Sequence, residues 1–226
     1  MIQELIDKAL SEKEERVRSG KYSPSSFGRC YRLQYWNRKD VPKTNPPDER
    51  AERVFKAGNL FHEFVQGVIL KAHPEAQKEV SIEDEDFKGY ADLVMSDEVT
   101  DIKSQHSKAF WYRNGKPWAE IEGQIKHHIL QVVWYAVRLG KTNARIVYVS
   151  KDDLCIQEYL IEVKKWQQTL QDEVDILKAL WLGQELPLAL PRAYGVDKNG
   201  KSKDCLYCSW KDLCRKTEEM NDNQIN

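Results

Sequence analysis

Residues 89–104 read GYADLVMSDEVTDIKS. Two runs rich in apolar residues flank a polar turn at Ser96 to Glu98, the pattern of two short strands joined by a hairpin. Each run carries one acidic residue among apolar neighbours, Asp92 in the first and Asp101 in the second. Side chains alternate faces along a strand, so Asp101 and Lys103 point the same way, roughly 6 to 7 Å apart. If the turn sets Asp92 beside them, two carboxylates and an ammonium share one half-buried site. Carboxylates at that range repel one another unless a cation bridges them, and hard oxygen donors suit Mg²⁺ or Mn²⁺. A divalent ion there would polarise a phosphodiester and activate water, with the lysine placed to orient the water or stabilise developing charge. Such a site would serve hydrolysis of a nucleic-acid backbone, although an acidic residue at a strand end followed by D-x-K is in itself a common pattern.

Working outward, AQKEVSIEDEDF at 76–87 supplies a strand before the hairpin, so 76–104 reads as a three-stranded antiparallel meander with its first turn near Glu83 to Phe87. The stretch 117–140 is a helix, started by Pro117 and stopped by Gly140. On it, Gln124, His128, Gln131 and Tyr135 form a narrow polar strip beside the apolar stripe of Ile121, Ile125, Ile129, Val132 and Ala136. Two strands follow in NARIVYVS and LCIQEYLIE, then an amphipathic helix over 163–183. Cys155, inside the second of those strands, reads as a small core hydrophobe. Upstream, one helix is expected from Ile2 to about Arg18. Ser23 as N-cap with Pro24 behind it starts a second that carries Cys30. Asp48 caps a third, with Val54, Ala57, Phe61, Val65 and Val68 as its apolar stripe and His62 one turn past Gly58. The fold class is α/β.

The charges nearly cancel, 35 Lys and Arg against 36 Asp and Glu, so composition neither supports nor excludes a polyanionic partner. Only a locally basic cleft would matter. Aromatic and basic residues do mix in CYRLQYWNRK, KAFWYRNGKPW and CSWKDLCRK, a combination that stacks bases while neutralising phosphate, although most Trp in a domain of this size fill cores. No signal-like or membrane-length apolar run occurs, and a soluble protein of the cytoplasm is expected. Of the five cysteines, Cys205, Cys208 and Cys214 crowd into ten residues. In a reducing compartment such a cluster points to a metal rather than to disulfides. Neutral imidazole makes His62 an acceptable ligand beside carboxylates, whereas His73, His106 and His127 have no supporting pattern.

In this order, GNLFH, GYAD, DIK and QVVWY match G-x-x-x-H, G-x-x-D, (D/E)-x-K and Q-x-x-x-Y. The chain thereby resembles the RecB-type nucleases of the PD-(D/E)xK superfamily, over about Ser23 to Cys214. The interval from Asp92 to Asp101 is short, and the second acid is Asp rather than the more frequent Glu. The resemblance implies that His62, Asp92, Asp101 and the Ile102 carbonyl are metal ligands, that Lys103 is the catalytic lysine, and that Gln131 and Tyr135 support the active site and contact DNA. It is similar in particular to the CRISPR-associated RecB-like exonucleases and their viral relatives. In these, one cysteine before the nuclease motifs and three after them hold a [4Fe-4S] cluster. Cys30, Cys205, Cys208 and Cys214 fit those positions. Four thiolates also suit zinc, although zinc ribbons usually use two close pairs.

The resemblance implies a mixed central sheet flanked by helices, with a helical lid clamped by the cluster. The expected division is an N-terminal helical region over 1–75, a nuclease core over 76–182 and a cluster segment over 183–226. The expected activity is metal-dependent exonuclease action, with Mg²⁺ or Mn²⁺, on single-stranded DNA ends. The expected setting is CRISPR spacer processing beside an integrase, in antiviral defence, or viral or cellular recombination and repair beside a helicase-type partner, in a prokaryotic or virus-infected cell. A noncatalytic DNA-binding scaffold that keeps the fold and the cluster is the alternative.

Overall fold

The computed structural model describes residues 2–12, 19–189, 205 and 207–225, and side chains as far as 218. The described residues fall into two compact units, one drawn from Met1–Tyr22, Arg29–Glu52 and Ile176–Asn226, the other from Ser23–Gly28 and Arg53–Asp175.

The second unit is built on a five-stranded sheet in the order β1-β2-β3-β4-β5, with β1 at Gln77–Glu83, β2 at Lys88–Val94, β3 at Glu98–Gln105, β4 at Asn143–Ser150 and β5 at Ile156–Glu162. The first three strands are the expected antiparallel meander, β3 and β4 run parallel, and β5 returns antiparallel. A parallel neighbour requires a crossover. Helices α4 (Ser107–Tyr112) and α5 (Trp118–Arg138) supply it between β3 and β4. Helix α3 (Glu49–Ala72) lays Phe61, Val65 and Ile69 on Leu93, Ile102, Val147 and Val149. Alternation along β3 therefore sends Ile102 into that layer and leaves Asp101 and Lys103 on the opposite face.

The first unit holds α1 (Ile2–Ser11), α2 (Tyr31–Arg38) and α7 (Lys211–Ile225), while α6 (Val163–Gly183) begins in the second unit and ends in the first. Its core is aromatic: Tyr35, Trp36 and Trp210 are buried together, with Leu33, Val41, Trp181, Leu213 and two cysteines, Cys208 and Cys214, packed against them. The start of α3 is fixed as expected, since the Asp48 carboxylate accepts a hydrogen bond of 2.7 Å from the Ala51 amide.

Several expectations change. Ser23 and Pro24 open only a 3₁₀ turn over Pro24–Ser26, and the Ser23 hydroxyl pairs with that of Ser25 rather than capping a helix. Gly28 then takes φ +67°, a left-handed conformation that ends any helical run, and α2 begins afresh at Tyr31. Cys30 is thus the residue before α2, not a member of a longer helix. On α3, Val54 and Val68 are about half exposed, and the working stripe is Phe61, Val65 and Ile69. Cys155 is not in the core: Leu154 adopts φ +57°, β5 starts only at Ile156, and the thiol is partly open to solvent. The first helix is seen to Ser11; residues 13–18, where its expected end falls, lie outside the described residues. Among the described residues, no helix is long and apolar enough to cross a membrane.

Candidate functional site

The ladder between β2 and β3 pairs Leu93 with Thr100 and Val94 with Val99, and no pair is formed beyond these. Two residues past Thr100 the Ile102 amide would lose its partner across the ladder, and a buried N–H left unpaired costs about 1–3 kcal/mol. Asp92 fills the gap: its Oδ2 accepts a hydrogen bond of 2.6 Å from the Ile102 amide. One carboxylate oxygen therefore closes the splayed strands, and the other, Oδ1, faces the His62 Nδ1 of α3 at 3.6 Å. At that distance the contact is too long for a hydrogen bond and is an ion pair when the imidazole is protonated.

Asp101 sits across the wedge, 2 % exposed. Lys103 donates a 2.9 Å bond to its Oδ1 and a 3.1 Å bond to Gln131 Oε1 of α5. Asp101 Oδ2 is also 2.9 Å from the ammonium, but off its bonding directions, so this buried oxygen has no hydrogen-bond partner. Burial above all, and the neighbouring Asp92 charge, push the Asp101 carboxyl up to about 6, against the pull of Lys103 and His62. For His62, burial works to lower the pKa, but Asp92 and Asp101 outweigh it and raise the imidazole above its ordinary value. Burial, reinforced by Asp101 and Asp92, holds the Tyr135 phenol well above its usual range, so it remains a neutral group.

His62, Asp92, Asp101, Ile102, Lys103, Gln131 and Tyr135 lie in the same unit, and the contacts above join His62 to Asp92 to Ile102 and Asp101 to Lys103 to Gln131. Of the remaining polar strip, Gln124 is solvent-exposed and His128 instead bonds the Tyr148 hydroxyl at 2.6 Å. Sequence reasoning missed Gln66. It lies one turn past His62, is 3 % exposed, and donates from Nε2 to the Asp92 carbonyl at 3.0 Å and to Glu79 Oε1 at 2.6 Å. The signal was its i+4 spacing from His62, which puts the two on one helix face.

Gly89 has a steric role. A Cβ there would stand 2.6 Å from the Tyr135 hydroxyl oxygen and 3.0 Å from Pro24 Cδ. Neither can retreat cheaply, because the Tyr135 ring is 2 % exposed. Gly89→Ala should destabilise the protein by about 1–3 kcal/mol, read as a lower denaturant midpoint; an unchanged midpoint would refute the close contact.

The raised Asp101 pKa and a donor set of two carboxylates, an imidazole and a main-chain carbonyl are of the kind that suits a hard divalent cation. Among the described residues, however, no three His, Cys, Asp or Glu side chains already stand at metal-binding spacing. Without metal, native Asp101 holds its proton to higher pH than the unfolded chain does. Stability then falls as pH rises from about 4 to about 6, by on the order of 2–3 kcal/mol. Denaturation in chelator should show this slope, and Asp101→Asn should flatten it.

A second constellation lies in the first unit. Cys30, Cys205, Cys208 and Cys214 line one cavity of about 180 Å³, together with Arg29, Arg32 and Lys211. The segment that carries the last three thiols is stapled to the loop before α3. Asn45 accepts from the Asp212 amide at 3.0 Å and donates to the Asp212 carboxylate at 2.8 Å, and the Trp210 indole bonds the Val41 carbonyl at 3.0 Å. Arg32, 2 % exposed, donates to Cys214 Sγ at 3.4 Å, to Glu218 at 2.8 Å and to the Pro187 carbonyl at 2.7 Å. The Trp210 amide points at Cys208 Sγ, 3.4 Å away. Burial first, then the charges of the other three thiols, raise the Cys208 pKa. Thiolates are soft donors that suit a thiophilic metal, although among the described residues these four do not stand at metal-binding spacing.

No family model and no curated protein matches the chain. Solved structures do. SSO0001 superposes with a TM-score of 0.57 at 21 % identity, over 92 % of this chain and 93 % of that one. The alkaline exonuclease LHK-Exo from Laribacter hongkongensis gives 0.42 at 14 % identity, over 80 % of this chain and 100 % of its own, and its complex with dAMP gives 0.41 at 15 %, over 74 % and 96 %. The first is a likeness of fold across nearly the whole chain; the latter two are more remote.

Proposed function

We propose that the chain is a metal-dependent deoxyribonuclease of the RecB-like type, an exonuclease acting on single-stranded DNA ends. The observation that carries this reading is the wedge between β2 and β3, where the buried Asp101 carboxylate is paired with Lys103 and Asp92 holds the Ile102 amide. His62, Asp92, Asp101 and the Ile102 carbonyl would hold Mg²⁺ or Mn²⁺. When bound, the ion supplies Lewis-acid polarisation of the phosphodiester and lowers the pKa of the attacking water.

The chain's own side chains do the rest. Asp101 would serve as a ligand in its ionised form. The Lys103 ammonium, released from full engagement with Asp101, orients the nucleophile and stabilises charge that develops on the phosphate. Gln131 keeps that ammonium over β3. Tyr135, neutral at any working pH, buttresses the strand end beside Gly89.

Cys30, Cys205, Cys208 and Cys214 would hold a [4Fe-4S] cluster with a structural role, tying the residue before α2 to the segment around α7. Their shared cavity supports this part of the reading. The biological setting is CRISPR spacer processing with an integrase, or recombination and repair with a helicase-type partner.

The test is digestion of 5′-labelled, 3′-labelled and circular single-stranded DNA with Mn²⁺, using anaerobically purified protein. Linear strands should shorten from an end, and circles should survive. Intact linear DNA across varied metals and pH would end the enzyme reading. The same preparation should absorb broadly near 400 nm, as sulfur-to-iron charge transfer does, and contain iron with sulfide. Stoichiometric zinc with no iron would replace the cluster.

A further inference from the structure

Helix α4 carries a surface that neither the core nor the strand-end site uses. It begins at Ser107, four residues past Lys103, so at most about 13 Å of extended chain separate its start from the lysine. Its single inward side chain is Phe110, 1 % exposed, whereas Trp111 is 47 % and Tyr112 62 % exposed. Lys108, Trp111 and Tyr112 stand at i, i+3 and i+4, which puts one cation and two large rings on the same helix face.

The rings are held rather than loose. Trp111 packs edge-on to Phe110 with centroids 5.2 Å apart. The Lys116 ammonium lies 3.8 Å from the centre of the Tyr112 ring. The helix itself is pinned at both ends. His106 and Asp152 accept from the amides of Lys108 and Ser107 at 3.2 Å and 2.9 Å. Arg113, 7 % exposed, bonds Gln105 and lies with its guanidinium carbon 4.0 Å from the centre of the Tyr148 ring.

We propose that Lys108, Trp111 and Tyr112 form a stacking platform for the bases of single-stranded nucleic acid entering or leaving the Asp101 and Lys103 site. The inference rests on the nuclease reading and adds to it the part of the substrate that is gripped. Preset flat rings suit a flat partner, because ordering them on binding costs little further entropy. Duplex DNA hides its base faces, so the platform selects unpaired strands. Acidic Asp152, Asp153 and Glu120 offset the local lysines, so stacking rather than phosphate attraction supplies most of the grip. The platform's share of affinity should accordingly depend little on salt.

The test is fluorescence anisotropy with short fluorescein-labelled oligothymidylate in chelator, where no cleavage occurs. Trp111→Ala and Tyr112→Ala should each weaken single-strand binding by about fivefold to a hundredfold, the range for one stacked base. Trp111→Phe and Tyr112→Phe should retain most of it, and thermal unfolding should be unchanged because both rings are exposed. Unaltered affinity in the double alanine variant overturns the platform, as does wild-type protein that does not bind the oligomer at all. The two readings separate cleanly. Cleavage and binding that both survive the double variant remove the platform alone, whereas platform-dependent binding without cleavage under any metal removes the nuclease alone.

Discussion

Lys103→Ala should lower DNA hydrolysis by about 10²- to 10³-fold, the cost of deleting one preset donor of positive charge at a reacting oxyanion. The effect should fall on kcat and leave binding of single strands nearly unchanged, since the rings of α4 and not Lys103 grip the bases. The variant carries a second signature. Lys103 is the main group holding the Asp101 carboxyl down against burial and the Asp92 charge. Without it, Asp101 should hold its proton to still higher pH, so the acid limb of residual activity should move toward neutrality. A variant that keeps more than a tenth of the wild-type rate, with an unmoved pH profile, would remove Lys103 from the chemistry.

If the four thiols hold the proposed cluster, Cys208→Ala should strip it and soften the first unit. The thiol packs against the aromatic core of Tyr35, Trp36 and Trp210, so its loss opens a small void as well as removing a ligand. A ligand present at a thousandfold above its Kd contributes about 4 kcal/mol to stability. In a chain of this length that corresponds to a drop in Tm of roughly 8–16 °C. Iron should fall toward zero in parallel. Asp101, Lys103 and Gln131 lie in the other unit and keep their hydrogen bonds, so whatever activity is lost should return as the temperature is lowered. Full metal content together with wild-type thermal stability would defeat the structural role proposed for the cluster.

Much of the site was legible because strand alternation and helical spacing are local. The D-x-K run at 101–103, the polar turn at 96–98 and the Gln131 to Tyr135 spacing each depend on a few neighbouring residues. What could not be read depends on partners distant in the chain. Gln66 matters because the Asp92 carbonyl, twenty-six positions on, accepts its hydrogen bond. Arg32 looks like one more basic residue among aromatics until Cys214, Pro187 and Glu218 surround it. The error at Ser23 and Pro24 has a local cause of its own. The start signal was genuine, but the left-handed Gly28 cut the helix to a single turn. Cys155 falls outside the core because the apolar strand pattern runs two residues, Leu154 and Cys155, beyond the true start of β5, into a turn whose Leu154 has positive φ.

The hydrogen bond from the Ile102 amide to Asp92 also makes a single proton into a gauge. That N–H should exchange slowly with deuterated solvent while the carboxylate holds it, although the two strands are no longer laddered there. Asp92→Asn keeps an oxygen acceptor and should keep the amide slow while the ion is lost; Asp92→Ala should free both. One backbone resonance therefore distinguishes a chain whose strands are correctly joined but chemically silent from one whose sheet has come apart, before any substrate is added.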